Sequence, residues 1–484
     1  MLFNSLDFAV FLPIVFVLYW FVTKHNLKLQ NVLIVASSYV FYGWWDWRFL
    51  SLIIFSTFLD YSIGRRLKNE DNVRVRKTLL WTSIIVNLGF LGVFKYYNFF
   101  LDNFIAAFSF FGQDIQPNSL NIILPVGISF YTFQTLSYTI DVYKKKLEPT
   151  EDLVAFSAFV CFFPQLVAGP IERATNLLPQ FYKKRTFEYD KAVDGMRQIL
   201  WGLFKKVVIA DNCAEYANLI FNNYQDYNGS TLLLGAIFFT FQIYGDFSGY
   251  SDIAIGTSRL FGFNLMQNFA TPYFSRDIAE FWRRWHISLS TWFRDYLYIP
   301  LGGSRGGTWM KVRNTFIIFL VSGFWHGANW TFIVWGGLNA LYFLPLLLLK
   351  RNRTNLGVVA EGRMLPNLRE LWQMGTTFLL TVLAWIFFRA SSLTVALEYI
   401  TAMFRINHKS HQLFNKSEDL LLLLIVFTFL IIEWSSRHNL NAGRVINLPK
   451  NKTTRTLVYI MLSSIVVIYF FINNENSDFI YFQF

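Results

Sequence analysis

Only two cysteines, Cys161 and Cys213, occur in the 484 residues. They can build neither a disulfide framework nor a multi-cysteine metal site, and each reads as a small buried residue. Histidine is almost as scarce. The only closely spaced pair, His408 and His411, has no third ligand nearby, so no metal site is expected. Charge is also thin, at 15% of the chain against roughly 25% in a soluble domain. No polar run is long enough for a separate soluble domain, and no internal repeat or low-complexity segment stands out. The expectation is one integral membrane domain over residues 1–484.

Apolar side chains are plentiful, at 54% of residues, so lipid must serve as solvent for much of the surface. Apolar runs long enough to cross a hydrocarbon core of about 30 Å recur without two-residue alternation, and a spanning backbone must satisfy its own hydrogen bonds. The predicted fold is an all-α polytopic bundle of roughly 11–13 membrane segments. These fall at about 7–22, 31–45, 49–63, 78–98, 121–140, 153–169, 196–211, 231–248, 314–330, 331–349, 371–389, 418–434 and 456–473. Stretches 99–120, 153–169 and 249–275 are interrupted by Gly, Pro, Asp or Asn and read as re-entrant or interfacial. The net charge of +12 lies in short segments between apolar runs. Residues 64–78 and 433–457 carry most of their charge as Lys and Arg, which the positive-inside rule explains without nucleic acid. Both segments are expected in the cytoplasm, leaving both chain ends outside.

Three polar features interrupt this apolar background. His326, in SGFWHGANWTFIVWGG, lies far from any flanking charge. An ionisable group at membrane depth reads as functional by default, and an imidazole with an ordinary pKa near 6.5 suits removal of a hydroxyl proton. The alternative is a neutral histidine donating one interhelical hydrogen bond. His286 lies in the Arg- and Trp-rich stretch 275–307, which by itself reads as an interfacial helix with snorkelling arginines. At that spacing His286, Ser290 and Arg294 can share one helix face. The cluster Tyr244–Asp252 holds Asp246, Ser248 and Tyr250, which must line a cavity or cap a broken helix.

Five ordered stretches resemble the membrane-bound O-acyltransferase superfamily: LPVGISFYTFQTLSYTIDVY (124–143), FFPQLVAGPIER (162–173), IYGDFSGYSDIAIG (243–256), FWRRWHISLSTWFRDYLYIPLGG (281–303) and SGFWHGANWTFIVWGGLNA (322–340). The similar branch is bacterial and includes alginate and peptidoglycan O-acetyltransferases and the D-alanyl transfer protein of teichoic acid. The resemblance implies a ring of helices around a funnel, with His326 catalytic and His286 the second signature residue. It further implies that Asp246, Ser248, Tyr250, Trp285, Ser288, Trp325 and Asn329 line the substrate path. The terminal FIYFQF, residues 479–484, resembles the F-x-Y-x-x-F tail of glycan-acylating systems, which makes Tyr481 a transient acyl carrier; read alone, it is an aromatic interfacial anchor.

The same resemblance implies a multi-pass protein of the bacterial cytoplasmic (inner) membrane that moves an acyl group, by default acetyl, outward for O-acylation of an alginate-like glycan. No tightly bound cofactor is expected. The donor would be acetyl-CoA or another acyl thioester, and a separate periplasmic or extracellular transferase would receive the group. Peptidoglycan acetylation and teichoic acid D-alanylation are the nearest alternatives. A polysaccharide transporter or export subunit would more often show paired repeats and charges in several spans.

Overall fold

The computed structural model describes residues 1–110, 125, 127–167, 169–405, 417–438, 451–472 and 479–480. Among them there is no strand. Two compact units form, one from Met1–Met196 with Ala254–Met266, the other from Arg197–Ile253 with Gln267–Phe484.

The first unit contains α1 (Leu6–Val17), α2 (Leu27–Asp46), α3 (Leu50–Lys68), α4 (Val73–Leu91), α5 (Tyr97–Phe110), α6 (Ile128–Tyr143), α7 (Leu153–Cys161), α8 (Phe163–Leu166), α9 (Ala174–Leu177) and part of α10 (Tyr189–Leu203). Short polar side chains start several of these helices. Ser5, Asn26, Asn72 and Asp152 each accept a backbone N–H of the first turn, the usual way to satisfy an orphan donor. A π-helical turn, Gly92–Tyr96, joins α4 to α5, so the helix runs on to Phe110 past the end predicted near residue 98. The interior holds a carboxylate. Asp60 of α3 accepts hydrogen bonds from Thr139 (2.8 Å) and Asn87 (2.9 Å) and from the Ser83 hydroxyl, polar groups that tie α3, α4 and α6 together.

The second unit contains α11 (Asp211–Asn222), most of α12 (Gly229–Leu260), α13 (Ile278–Arg284), α14 (Ile287–Phe293), α15 (Thr308–His326), α16 (Trp330–Leu348), α17 (Leu368–Arg389), α18 (Leu393–Met403), α19 (Ser417–Ser436) and α20 (Lys452–Ile472). Among the described residues, five helical stretches are long and apolar enough to cross a membrane: Val73–Phe110, Gly229–Leu260, Trp330–Leu348, Leu368–Arg389 and Lys452–Ile472. The protein is therefore a multi-pass membrane protein. Of the most apolar window of α12, 83% is buried, against 11% for α20, so α12 is a core helix and α20 leaves its apolar surface to lipid.

At two places the structure excludes one of the readings that the sequence allows. α12 is not broken at the polar cluster but continues for 32 residues in all, because Lys205, Lys206 and Glu433 meet its Asp252, Asp246 and Tyr244 from the side. Stretch 275–307 is not a snorkelling surface helix either. It folds inward around Glu280, which is 1% exposed and accepts paired hydrogen bonds from both Arg276 and Arg284. Arg283 meanwhile donates to the carbonyls of Asn352 and Asn355. α15 and α16 form an antiparallel hairpin. A Cβ on Gly323 would come within 2.2 Å of the Phe332 carbonyl oxygen, and one on Gly336 within 2.3 Å of that of Phe319, so these glycines permit the close approach typical of membrane helices.

Candidate active site

His326 is the last residue of α15, at the closed end of the hairpin, and is 4% exposed. Its ring stands nearly perpendicular to Trp335 at 5.1 Å, with Phe388 at 5.3 Å and Trp325 at 4.9 Å. The space beside Gly327 is filled by Phe332: a Cβ on Gly327 would lie 2.1 Å from that ring. Asn329 caps α16, accepting the Thr331 N–H while donating to the Ser391 carbonyl.

His286 does not share a helix face with Ser290. It is the residue before α14, in the left-handed region at φ 43° and ψ 55°, a conformation that costs a non-glycine residue on the order of 1–3 kcal/mol. The turn is held by Asn268. Its Oδ1 accepts the backbone N–H and the hydroxyl of Ser288 at 3.3 and 2.8 Å, and its Nδ2 donates to Ser251 at 3.0 Å. Because a backbone N–H can only donate, this amide oxygen faces the ring, and the 3.1 Å contact to Nδ1 is an Nδ1–H donation. Nε2 then carries the lone pair. It is buried and has no hydrogen-bond partner among the described residues. Burial pushes the His286 pKa down to about 3, so the ring is neutral at physiological pH.

Aromatic rings connect the two histidines. Trp325 lies 6.2 Å from His286 and 4.9 Å from His326. Trp285 packs in the same layer, 5.1 Å from Trp385, which stacks on Trp335 at 5.6 Å. On the other side of His286, Phe247 sits at 4.6 Å, edge to face, and Phe247 in turn meets Phe479 at 6.1 Å.

Beside this aromatic centre lies a buried ionic layer. Lys205 and Lys206, both in a π-helical stretch after α10, Phe204–Ala210, face α12. Lys205 pairs with Asp252 at 2.5 Å, and Gln198 donates to the same carboxylate. Lys206 bridges Asp211 at 2.9 Å and Asp246 at 3.0 Å. Tyr244 donates to Glu433 at 2.6 Å. The described part of the tail ends in this layer. Ile480 donates its N–H to Asp246 at 2.6 Å, and Phe479, 0% exposed, packs on Tyr250 at 4.4 Å. Ser248 is 1% exposed, and its hydroxyl has no partner among the described residues. Tyr481 lies outside the described residues.

Of the predicted site residues, the second unit thus holds His286, His326, Trp325, Trp285 and Ser288 in the aromatic centre, Asp246 and Tyr250 against the tail, and Ser248 between them in sequence. Asn268, Lys205, Lys206 and Glu433 were missed. Lys205 and Lys206 did carry a signal, since two adjacent lysines interrupt the apolar run WGLFKKVVIA. Asn268 carried none.

These features define a multi-pass, all-helical membrane protein built around two buried histidines. The family model of the membrane-bound O-acyltransferases, MBOAT, matches residues 49–368, which include both histidines. The chain belongs to that family and is an O-acyltransferase. It is 45% identical over 408 residues to the probable alginate O-acetylase AlgI of Pseudomonas aeruginosa, covering 84% of this chain and 75% of that protein. Over 458 residues it is 40% identical to the probable AlgI of Azotobacter vinelandii, covering 93% and 88%. To the peptidoglycan O-acetyltransferase of Helicobacter pylori it is 34% identical over 436 residues, covering 84% and 80%.

Proposed function

We propose that this protein moves an acetyl group from a cytoplasmic thioester across the bacterial cytoplasmic membrane for O-acetylation of an extracytoplasmic, alginate-like polysaccharide. His326 acts as general base and Tyr481 as acyl carrier. His326 takes the phenolic proton while the tyrosine oxygen attacks the thioester carbonyl; the C–S bond breaks, and the thiolate leaves and collects a proton. General base catalysis of this kind is typically worth about 10² to 10⁴ in rate. His286, neutral and with Nε2 held as a lone pair, is the second signature residue of the site. The acyl-tyrosine then passes its group to a separate periplasmic or extracellular transferase.

The observation that carries this reading is the burial of Phe479 and Ile480 in the unit that holds both histidines. A tail that served only as an interfacial anchor would leave its aromatic ring at the membrane surface. The alginate O-acetylases at 40–45% identity favour an exopolysaccharide over peptidoglycan, at 34%. Intact-mass analysis after incubation with labelled acetyl-CoA tests the reading. The expected result is a mass gain in the wild type that is lost in both His326→Ala and Tyr481→Phe. Label on added glycan without any mass gain in the protein would mean direct transfer and would reduce Tyr481 to an anchor.

A further inference from the structure

The hairpin that ends in His326 sets one buried hydroxyl opposite it. A Cβ on Gly323 would meet Phe332 and Gly336, and one on Gly336 would meet Phe319 and Gly323. Residue 323 of α15 is thus level with 332–336 of α16. The helices are antiparallel, so three residues further along α15 His326 is level with 329–333, and Thr331 lies at the middle of that range. Thr331 also shares a helix face with Trp335, four residues on, and Trp335 stands 5.1 Å from the His326 ring. This is the inner face of α16, because Thr331 is only 1% exposed.

Other buried helical threonines of this unit spend their hydroxyl on their own helix. Thr240, Thr315, Thr377 and Thr381 each donate to the carbonyl four residues earlier, at 2.8–2.9 Å. Thr331 has no such carbonyl. It is the second residue of α16, and Gly327 before the helix is extended at φ −161° and ψ 153°. Its Oγ1 is buried and has no hydrogen-bond partner among the described residues. Burying a hydroxyl without a partner destabilises a fold, so a partner that arrives with the substrate accounts for it. The neighbouring backbone donors are engaged: the N–H of Thr331 meets the Asn329 side chain at 3.0 Å and that of Phe332 meets the Asn329 carbonyl at 3.2 Å. No acidic side chain lies in the first turn of α16, so nothing there offsets the positive end of the helix dipole.

We propose that the Thr331 hydroxyl donates a hydrogen bond to the carbonyl oxygen of the acyl donor and stabilises the oxyanion that forms there during transfer. The proposal rests on the transfer reading above. As the attacking oxygen bonds to the carbonyl carbon, the π pair moves onto the carbonyl oxygen while His326 takes the hydroxyl proton. When the C–O double bond re-forms, the C–S bond breaks, and the thiolate leaves and collects that proton. Thr331 gives up no proton in either step; its hydrogen bond strengthens as charge builds on the oxygen. Among aromatic rings and away from water such a donor acts more strongly than in bulk solvent, and the N-terminus of α16 adds to it.

The test compares steady-state acetyl transfer from acetyl-CoA, and the melting midpoint in detergent, for wild type, Thr331→Val and Thr331→Ser. Valine keeps the shape and removes the donor. Its kcat should fall by about 10²- to 10³-fold, the usual loss for one oxyanion donor, while KM stays near that of wild type, as expected for a contact made in the transition state. Its melting midpoint should equal or exceed that of wild type, because an unpaired buried hydroxyl is gone. Serine keeps the hydroxyl and should retain most of the rate. Wild-type kcat in Thr331→Val, or a serine variant as slow as the valine one, overturns the proposal. So does a valine variant that melts below wild type, which would make the hydroxyl a structural partner. The two readings fail separately. The oxyanion belongs to the donor, so the valine defect appears whether a tyrosine or a sugar attacks. Wild type that labels glycan but never itself refutes the carrier step alone, and wild type that labels neither refutes the transfer reading; undiminished transfer in Thr331→Val refutes the role of Thr331 alone.

Discussion

Asp246→Ala should release the terminal segment without unfolding the protein. In the native state the Asp246 carboxylate accepts the Ile480 N–H at 2.6 Å and pairs with Lys206, which keeps Asp211 as a second partner. A hydrogen bond to a charged acceptor contributes about 1.5–3 kcal/mol. Its loss should weaken docking of the tail by roughly 10- to 100-fold at 1.4 kcal/mol per decade. Lys206 is not stranded, because Asp211 remains. Digestion by a carboxypeptidase reports the effect: the variant should lose residues 479–484 faster by that factor while its melting midpoint in detergent changes little. Formation of acyl-protein from acetyl-CoA should fall in parallel. Phe479→Ala provides an independent route to the same state, since it removes a fully buried ring from Tyr250 and Phe247 without touching the ion pair. Wild-type digestion and wild-type acyl transfer in Asp246→Ala would refute the idea that this carboxylate holds the tail.

The neutral state of His286 makes acid stability a second check. Its pKa is about 3 in the fold against an ordinary 6.5, so the unfolded chain binds a proton that the folded chain refuses, and stability falls as pH drops from 6.5 towards 3. The drop in melting midpoint between pH 7.5 and pH 5 should be smaller in His286→Gln than in wild type. Gly327→Ala should cost about 1–3 kcal/mol by overpacking, because its Cβ would lie 2.1 Å from the Phe332 ring. It should also slow acyl transfer, since Phe332 meets Phe388 at 4.9 Å and Phe388 meets His326. Lys205→Met strands Asp252 in the interior and should destabilise by roughly 3–5 kcal/mol, whereas Lys205→Met with Asp252→Leu should recover most of the melting midpoint.

The membrane class and the two histidines were legible because each departs from its background: apolar runs in a chain poor in charge, and an imidazole inside one of those runs. The surroundings were less legible. His286 seemed to share a helical face with Ser290, but the left-handed φ of His286 depends on Asn268, eighteen residues earlier, and no local pattern encodes a side-chain acceptor at that separation. The Tyr244–Asp252 cluster read as a cavity lining or a helix break because its polar groups are too costly in lipid. Their partners, Lys205, Lys206, Asn268 and Glu433, come from other segments, and once those are in place α12 has no reason to break. Arg276, Arg283 and Arg284 resembled a snorkelling face for a similar reason: Glu280 and the carbonyls of 352–357 that receive them are invisible in helical periodicity.

The charge layout of the second unit bears on which acceptor meets the thioester. At the start of α15 lies a cavity lined by cations, at its end an imidazole among aromatic rings, and beside the tail ions that are already paired. In the second region no ion pair among the described residues offers to solvate a charged or heavily hydroxylated acceptor, and a sugar brought there would lose its water with few partners in exchange. A phenol loses little by the same transfer, since its ring matches the surrounding Trp and Phe side chains and its single hydroxyl needs only the histidine. His326 becomes an imidazolium as it takes the phenolic proton and the thiolate leaves beside it, so the charges that form in the apolar centre are paired and vanish when the proton passes to sulfur, whereas an unpaired charge there would be expensive. Under the proposed transfer, the environment around His326 suits a phenol better than a hydrated sugar as the first acceptor.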